Sequence, residues 1–590
     1  MQDTVPAVEP LGLRHILKAI GPAARRAIRR EGERVTLKAG RALFQVGDPA
    51  DCLYILLAGA LGVYISGSQG EPRLIAFIRP GETVGEMALL SGTPRSATVR
   101  ALRDCELLRL NHDSFLRIAE AAPELMVELG RIMARRLRDT NAGRIVNIEP
   151  RTVAFLPASR LIDVVMVAER LAGEAARLGF RVLTVKPDPA RLSSRWLTRA
   201  EALNDHVFLC GSRALPEVND LCARQADRIV IVAEAGEIDA APALSRRVRN
   251  RASHQLLDLL LLHGPDRDRP TVTMAALEKL PVNRHFHIRL DHESDWQRVA
   301  RVLTGRALGM VLSGGGARAY AHLGVLRAFR DSDIPIDFIG GTSMGAIVAA
   351  CVAMGWSLKD SEERIRQSFA EKSPLTDYSL PLVGLVRGVR VEALLEHHFG
   401  KARIEDLWLP FFCVSSNLTT ARAEVHRVGL LARALRASVS LPGILPPVVT
   451  ARGLLVDGGV VNNLPVDVMR ENNRGPVVAV DVARDLALTP AWLKQQMARP
   501  LIQRLLRPPL VSILMRAGTV SGEQQYRTQI QTADIAIAPA LGAIDLRDWK
   551  AFEIAVEAGY GAARKAIAEH PDLLNPPLVP SPLPEPREPS

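Results

Sequence analysis

Ile336-Asp337-Phe338-Ile339-Gly340-Gly341-Thr342-Ser343-Met344-Gly345-Ala346-Ile347-Val348-Ala349-Ala350 is the stretch on which the reading of this chain turns. The apolar run at 336–339 reads as a buried strand, and the apolar run after Gly345 reads as a helix. Between them, Gly341-Thr342-Ser343-Met344-Gly345 fits G-x-S-x-G in the strand–turn–helix setting of a nucleophile elbow. The spacing has a steric cause. On so sharp a turn flanking side chains collide with neighbouring backbone, so Gly341 and Gly345 relieve the crowding and let the Ser343 hydroxyl project.

Upstream, the strand-like Met310-Val311-Leu312-Ser313 runs into Gly314-Gly315-Gly316-Ala317-Arg318, and a helix-like segment follows at 320–330. Successive backbone N–H groups at a helix start stabilise an anion. Beside a nucleophilic serine that anion is the oxyanion of a tetrahedral intermediate, which makes 314–318 the candidate oxyanion hole. A dinucleotide pyrophosphate is the competing anion. Ala319 at the third motif glycine, and the lack of an acid about 20 residues on, weaken that reading.

Serine needs a base. His570 is the only histidine after Asp457, and it borders a proline-rich tail. His322 is a rival base or a packed structural residue. Leu454-Leu455-Val456-Asp457-Gly458-Gly459 instead ends an apolar strand in a carboxylate, with glycines that permit close approach. By itself it reads as an Asp-Gly turn. With the elbow and glycine loop upstream, a Ser343–Asp457 dyad is the better account.

Around this core, three composition patterns divide the 590 residues, a length that calls for several domains. Short β-type segments at 35–37, 42–45, 52–58, 61–66, 73–78, 96–101 and 106–110, separated by Gly40, Gly47-Asp48, Gly59, Gly67 and Pro80-Gly81, predict a β-barrel. Helical periodicity follows at Leu125, Leu129, Ile132 and Met133. Apolar runs at 153–156, 182–185, 207–209, 229–232 and 257–262 alternate with helical stretches, which predicts a parallel, Rossmann-like α/β sheet. Its first turn, Pro157-Ala158-Ser159-Arg160, lacks G-x-x-x-x-G-K-[ST], so no nucleotide chemistry is expected there. The predicted division is an N-terminal segment (1–22), a barrel with helices (23–142), the α/β unit (143–300), a catalytic α/β core (307–470) and its helical and strand continuation (471–568). The last part, 569–590, is proline-rich and expected to be disordered.

The set Gly314-Gly315-Gly316-Ala317-Arg318, Gly341-Thr342-Ser343-Met344-Gly345 and Asp457-Gly458-Gly459 resembles the patatin-like phospholipase family in order and spacing. The resemblance implies a Ser343–Asp457 dyad without a catalytic histidine, an oxyanion hole from the glycine loop, and a phospholipid or lysophospholipid acyl ester as substrate. Ala319 departs from the glycine of many members. Gly85-Glu86-Met87-Ala88-Leu89-Leu90 with Pro94-Arg95-Ser96-Ala97-Thr98 resembles the phosphate-binding cassette of cyclic nucleotide-binding domains. By that likeness Arg95 would hold the cyclic phosphate at the helix start after Gly85, Glu86 the ribose 2′-OH, and Ser96 the phosphate or purine. The implied ligand is cAMP or cGMP as an allosteric effector, although such barrels also survive as ligand-free interaction modules. One barrel, an α/β unit and a patatin-like domain form the order of the neuropathy target esterase family. Trp296 to Gly305 looks like that family's junction, and the likeness spans about residues 30–560.

Six scattered cysteines without a C-x-x-C pair argue against a disulfide framework or zinc site and fit a reducing compartment. No metal or cofactor is expected for catalysis. Without a signal-like N-terminus or a run of about 18 apolar residues, the expectation is a cytoplasmic enzyme, peripheral at the inner membrane surface. The formal charge of +11 is compatible with nucleic acid, anionic membrane or acidic ligands. No helix-turn-helix signature follows the barrel, so nucleic acid is not expected. Residues 485–523 interleave Lys494, Arg499, Arg504, Arg507 and Arg516 with Trp492, Leu501, Leu505 and Leu510, as a membrane-surface segment or a core-packed cap would. Other functional classes left open are a nucleotide-responsive scaffold with an inactive hydrolase domain, a neutral-glyceride lipase and a serine peptidase.

Overall fold

The computed structural model describes residues 22–587 except for 67–71, 142–150, 239–255, 266, 268, 281, 372–374, 376, 379–383, 473–474, 484–497, 499–522, 543 and 575–586. The chain forms two compact units: 1–262 with 277–285 and 579–590, and 263–276 with 286–578.

In the first unit, two antiparallel four-stranded sheets make the barrel. One runs Glu33–Leu37, Cys105–Asn111, Cys52–Ala58, Thr83–Val84; the other runs Ala42–Phe44, Thr98–Ala101, Leu61–Ser66, Pro72–Ile78. Alternate apolar side chains such as Leu56, Leu61, Ile78, Val99 and Leu107 pack as one cluster. Thr83–Val84 has no counterpart among the predicted strands because two residues carry no period. Leu125, Leu129 and Ile132 of helix Glu124–Asn141 are buried, as their spacing predicts.

The middle sheet has the order Val182–Val185, His206–Cys210, Thr152–Pro157, Arg228–Glu234, Leu256–His263, Arg284–Arg289. The pairings from Val182–Val185 through Leu256–His263 are parallel. Arg284–Arg289 is an addition to the predicted strands, since its Arg-His-Phe-His-Ile-Arg pattern looks polar although His287 is buried. Where a phosphate cradle would open after Thr152–Pro157, Ser159 Oγ accepts the Glu234 N–H and donates to the Glu237 carbonyl. The chain's own polar groups occupy that turn. Buried Arg103, on the turn between two barrel strands, pairs with Glu201 and Asp227 of the α/β part.

The second unit is built on one mixed sheet. Ile535–Ile537, Val477–Val480, Gly309–Leu312, Phe338–Thr342 and Phe411–Asn417 are parallel neighbours in that order. Val477–Val480 thus lies inside the sheet against Gly309–Leu312, so the region after 470 supplies part of the catalytic core and not merely its edge. Arg422–His426 pairs antiparallel along Cys413–Asn417. Gly453–Asp457 pairs antiparallel with Ser415–Asn417, and Val448–Thr450 pairs with Gly453–Asp457 at the edge.

Helix Phe552–Glu569 lies across Ala321–Asp331 so closely that a Cβ on Gly559 would meet the Ala321 backbone. The junction helix Glu293–Leu303 buries Trp296 and reaches the elbow strand through Arg301, whose guanidinium pairs with Asp337 at 2.7 Å. The region 569–590, expected to be disordered, opens with the short helix Pro571–Leu574. There Leu574 is buried in the catalytic core cluster, because one apolar side chain beside the long helix still finds cover. Further on, the Arg587 backbone exchanges two hydrogen bonds with the Asn204 side chain. Of the basic apolar stretch 485–523, only Ala498 and Glu523 belong to the described residues, so its reading as a membrane segment or a cap lies outside them.

Candidate active site

Sheet register explains how residues 114 apart in sequence meet. Arg422–His426 takes one edge of Phe411–Asn417. On the other edge, the elbow strand pairs Thr342 with Val414, and Gly453–Asp457 continues by pairing Asp457 with Ser415. The two strands run head to head, and Ser343 and Asp457 stand at the join. Ser343 Oγ donates to Asp457 Oδ2 at 2.6 Å, and both side chains are buried.

Ser343 holds φ 55° and ψ −131° at the start of helix Met344–Ala353. A non-glycine residue in that region stores strain of about 1–3 kcal/mol. Its surroundings must hold it there. A Cβ on Gly341 would strike the Leu312 carbonyl, and one on Gly345 the carbonyls of Leu312 and Ser313, so both flanks require glycine. The Ser343 N–H donates to Ser438 Oγ at 2.9 Å, and Ser438 in turn donates to the Val414 carbonyl at 2.6 Å. Sequence reasoning missed Ser438. It lies 95 residues from Ser343, and nothing local in Arg436-Ala437-Ser438 marks it.

Burial pushes the Asp457 carboxyl up to about 6, against the pull of hydrogen bonds from Ser343 and from the Gly459 N–H at 2.8 Å. Around neutral pH the carboxylate is ionised yet basic enough to take a proton. No histidine among the described residues is bonded to either member of the pair. His322 donates from Nε2 to the Ser313 carbonyl at 2.9 Å, and burial lowers its pKa to about 4, so it acts as a neutral brace under the glycine loop. His426 meets Ser415 Oγ, His398 meets Ser368, and His570 caps helix Phe552–Glu569.

The glycine loop folds beside the serine: a Cβ on Gly314 would come within 3.0 Å of the Ser343 Cβ. Its five N–H groups are not equivalent. Gly314 N–H points to Asn463 O at 3.4 Å, Ala317 N–H donates to Leu546 O at 2.8 Å, and Arg318 N–H donates to Gly315 O at 3.1 Å. Those of Gly315 and Gly316 find no acceptor among the described residues. Of the candidate donors 314–318, these two are therefore left without a protein acceptor among the described residues, because the C-terminal segment around Leu546 engages Ala317 and the short 3₁₀ turn engages Arg318. The Arg318 guanidinium fastens the loop from behind, donating to the Ile544 carbonyl at 2.8 Å. Gly316 holds φ 55° with the Leu546 carbonyl where a Cβ would go.

In the barrel, Gly85 (φ 90°) precedes the short helix Glu86–Ser91. Arg95 is buried beneath it, donating to the carbonyls of Gly85 (2.9 Å) and Cys52 (2.7 Å), with its guanidinium 4.3 Å from the Phe44 ring centre. Glu86 is buried alongside, while Ser96 is exposed. The structure thus brings Gly85, Glu86 and Arg95 together. All six cysteines are free and buried, and no His/Cys/Asp/Glu cluster of metal-binding form occurs among the described residues. No helix among them is long and apolar enough to cross a membrane.

Three known families match parts of the chain. Residues 310–470 match the patatin-like phospholipase family, 34–122 the cyclic nucleotide-binding domain, and 176–302 the neuropathy target esterase family P-loop like domain. An uncharacterized NTE family protein of Mycobacterium tuberculosis (strain CDC 1551 / Oshkosh) is 32% identical, over 92% of this chain and 93% of its own. Patatin-like phospholipase domain-containing protein 6 of Homo sapiens is 29% identical over 89% of this chain and 44% of its own. Patatin-like phospholipase domain-containing protein 7 of Rattus norvegicus is likewise 29% identical, over 89% and 44%. On the strength of the mycobacterial relative matched over 93% of its length and of its patatin-like domain, this chain belongs to the neuropathy target esterase family and is a lipid ester hydrolase.

Proposed function

We propose that the enzyme cleaves acyl esters of lysophospholipids or phospholipids through a Ser343–Asp457 dyad. The reading rests chiefly on the 2.6 Å hydrogen bond from Ser343 Oγ to Asp457 Oδ2, made at a strained elbow. Asp457 takes the hydroxyl proton as Ser343 Oγ attacks the ester carbonyl carbon. The carbonyl oxygen becomes an oxyanion, held by the Gly315 and Gly316 N–H groups. As the C–O bond to the glycerol oxygen breaks, that oxygen takes the proton back from Asp457 and leaves as an alcohol. Water then attacks acyl-Ser343 and gives up a proton to Asp457. Collapse of the second tetrahedral intermediate frees the fatty acid, and the proton returns to Ser343 Oγ.

The same proposal assigns cAMP or cGMP to the barrel, with Arg95 on the cyclic phosphate and Glu86 on the ribose, as a regulator of the esterase. In support, Arg95 is buried beside a helix start, where it meets two neutral carbonyls and the face of a ring. A phosphate would replace neutral acceptors with a charge-assisted pair. The test is fatty-acid release from lysophosphatidylcholine by wild type and Ser343→Ala, each with and without cyclic nucleotide. Release by wild type alone is expected. Release by both proteins would overturn the dyad, and a nucleotide without effect on rate would overturn the regulatory assignment.

A further inference from the structure

The head-to-head join has a second consequence. Beyond Asp457, the strand Gly453–Asp457 rises past the end of the elbow strand, and Phe411–Asn417 rises beside it. Two turns therefore project from the sheet at the end where Ser343 sits: 417–422 and 450–453. They are locked to each other. Leu418 N–H donates to Leu454 O at 2.9 Å, Asn417 Nδ2 to Arg452 O at 3.0 Å, and Leu454 N–H to Thr419 Oγ1 at 3.2 Å. A Cβ on Gly453 would collide with Thr419 and Asn417, so the two turns form one tight platform.

On this platform, Val449 pairs with Leu454 across the edge hairpin, and Leu454 neighbours Leu418 by the backbone hydrogen bond. Val449 and Leu454, paired across strands, share a face, and the Leu418 N–H bond to the Leu454 carbonyl sets the third side chain beside them. Their exposure is 51% for Leu418, 70% for Val449 and 41% for Leu454. Scattered surface leucines need no explanation, but three apolar side chains set together on a rigid support form a patch. Its polar surroundings are basic and hydroxylic. Thr419, Thr420, Arg422, Thr450 and Arg452 lie in the two turns, and neither turn contains an acid. The Arg452 side chain stands 82% exposed, with Glu424 of Arg422–His426, on the far side of Phe411–Asn417, as its partner at 3.1 Å.

We propose that this platform is where the enzyme seats on an anionic phospholipid bilayer. Leu418, Val449 and Leu454 enter the headgroup–acyl boundary, and Arg422 and Arg452 meet lipid phosphates. Apolar side chains flanked by arginines, on turns that themselves contain no acid, suit that boundary, and Arg452 would exchange its ion pair with Glu424 for a lipid phosphate. Leu454 lies three residues from Asp457, about 10 Å along an extended strand. Seating therefore brings the catalytic pair within about 10 Å of the surface that supplies its substrate. The inference rests on lipid ester hydrolysis being the activity, but not on the dyad or on any particular headgroup.

The experiment uses the whole 590-residue chain carrying Ser343→Ala, so that vesicles stay intact, with Val449→Asp and Leu454→Asp added together. Cosedimentation is measured with vesicles of phosphatidylcholine containing about 30% phosphatidylserine. The expected result is at least a roughly tenfold loss of partitioning. With Ser343 restored, the same pair of substitutions is expected to slow hydrolysis of vesicle-borne lipid while leaving turnover of a water-soluble short-chain ester intact. Unchanged partitioning would overturn the proposal. So would a change of mass in sedimentation equilibrium without vesicles, which would make the platform a contact between copies of the chain. Should the aspartates unfold the hairpin, Val449→Ser with Arg452→Gln gives the same readings, and circular dichroism reports the fold. A wild type that binds vesicles but hydrolyses no ester would contradict the activity while leaving the docking surface standing.

Discussion

Asp457→Asn separates what the fold prefers from what the chemistry requires. The amide has the carboxylate's shape: its oxygen can still accept the Gly459 N–H, and its NH₂ can still donate to Ser343 Oγ. What it lacks is the charge. Burial raises the Asp457 carboxyl from 3.8 to about 6. At 1.36 kcal/mol per pKa unit, the folded protein bears about 3 kcal/mol for keeping that carboxylate ionised. The sign follows from linkage: a raised folded-state pKa means that stability present below about pH 4 is lost as pH rises through about 6. The Asn variant has no such loss. It is expected to be more stable than wild type at pH 8 by up to about 3 kcal/mol, with the advantage shrinking toward pH 4. Thermal unfolding of the catalytic unit should show this as a Tm gain of roughly 5 °C at pH 8. Ester hydrolysis should fall by about 10²–10⁴, the usual loss when a general base is removed. A variant destabilised at pH 8, or a Tm difference that does not change with pH, would refute the electrostatic reasoning.

Three further perturbations bear on the site and the barrel. Ser438→Ala removes the acceptor of the Ser343 N–H, and an unmet buried donor costs about 1–3 kcal/mol, so kcat should drop roughly 10–100-fold with KM little changed. Steady-state kinetics on a soluble ester reads the split, and an effect confined to KM would mean Ser438 does not hold the elbow. Gly316→Ala places a methyl against the Leu546 carbonyl at φ 55° and should cost about 10²–10³ in kcat by displacing an oxyanion donor; near-wild-type kcat would remove Gly316 from the hole. Arg95→Ala should abolish cyclic nucleotide binding in titration calorimetry while leaving esterase activity without nucleotide intact, and binding that persists would remove Arg95 from the phosphate site.

Local motifs made much of this protein legible. The elbow and the glycine loop are contiguous, and each has a steric reason visible in its own residues: Gly341 and Gly345 must lack side chains because Leu312 and Ser313 lie against them. The barrel was legible because glycine and proline turns punctuate strands that alternate in burial. Partnership across long separations was not. Arg318 is fixed by Ile544, 226 residues on, and Ala317 by Leu546, so which loop amides remain for an oxyanion depends on a segment with no motif. The short edge strands Val448–Thr450 and Arg422–His426 carry too few residues for a period, yet they define the platform above the catalytic join. Arg284–Arg289 was hidden for another reason: its buried His287 meets the Glu405 carbonyl, a contact that only the folded chain supplies.

Covalent trapping tests most directly whether Ser343 is the nucleophile. Wild type, Ser343→Ala and Asp457→Asn are each treated with a fluorophosphonate and digested, and the peptide containing Gly341 to Gly345 is weighed by mass spectrometry. The expected result is one adduct on Ser343 in wild type, none in Ser343→Ala and a strongly slowed reaction in Asp457→Asn. An adduct on another residue, or equal labelling of wild type and Asp457→Asn, would contradict the dyad.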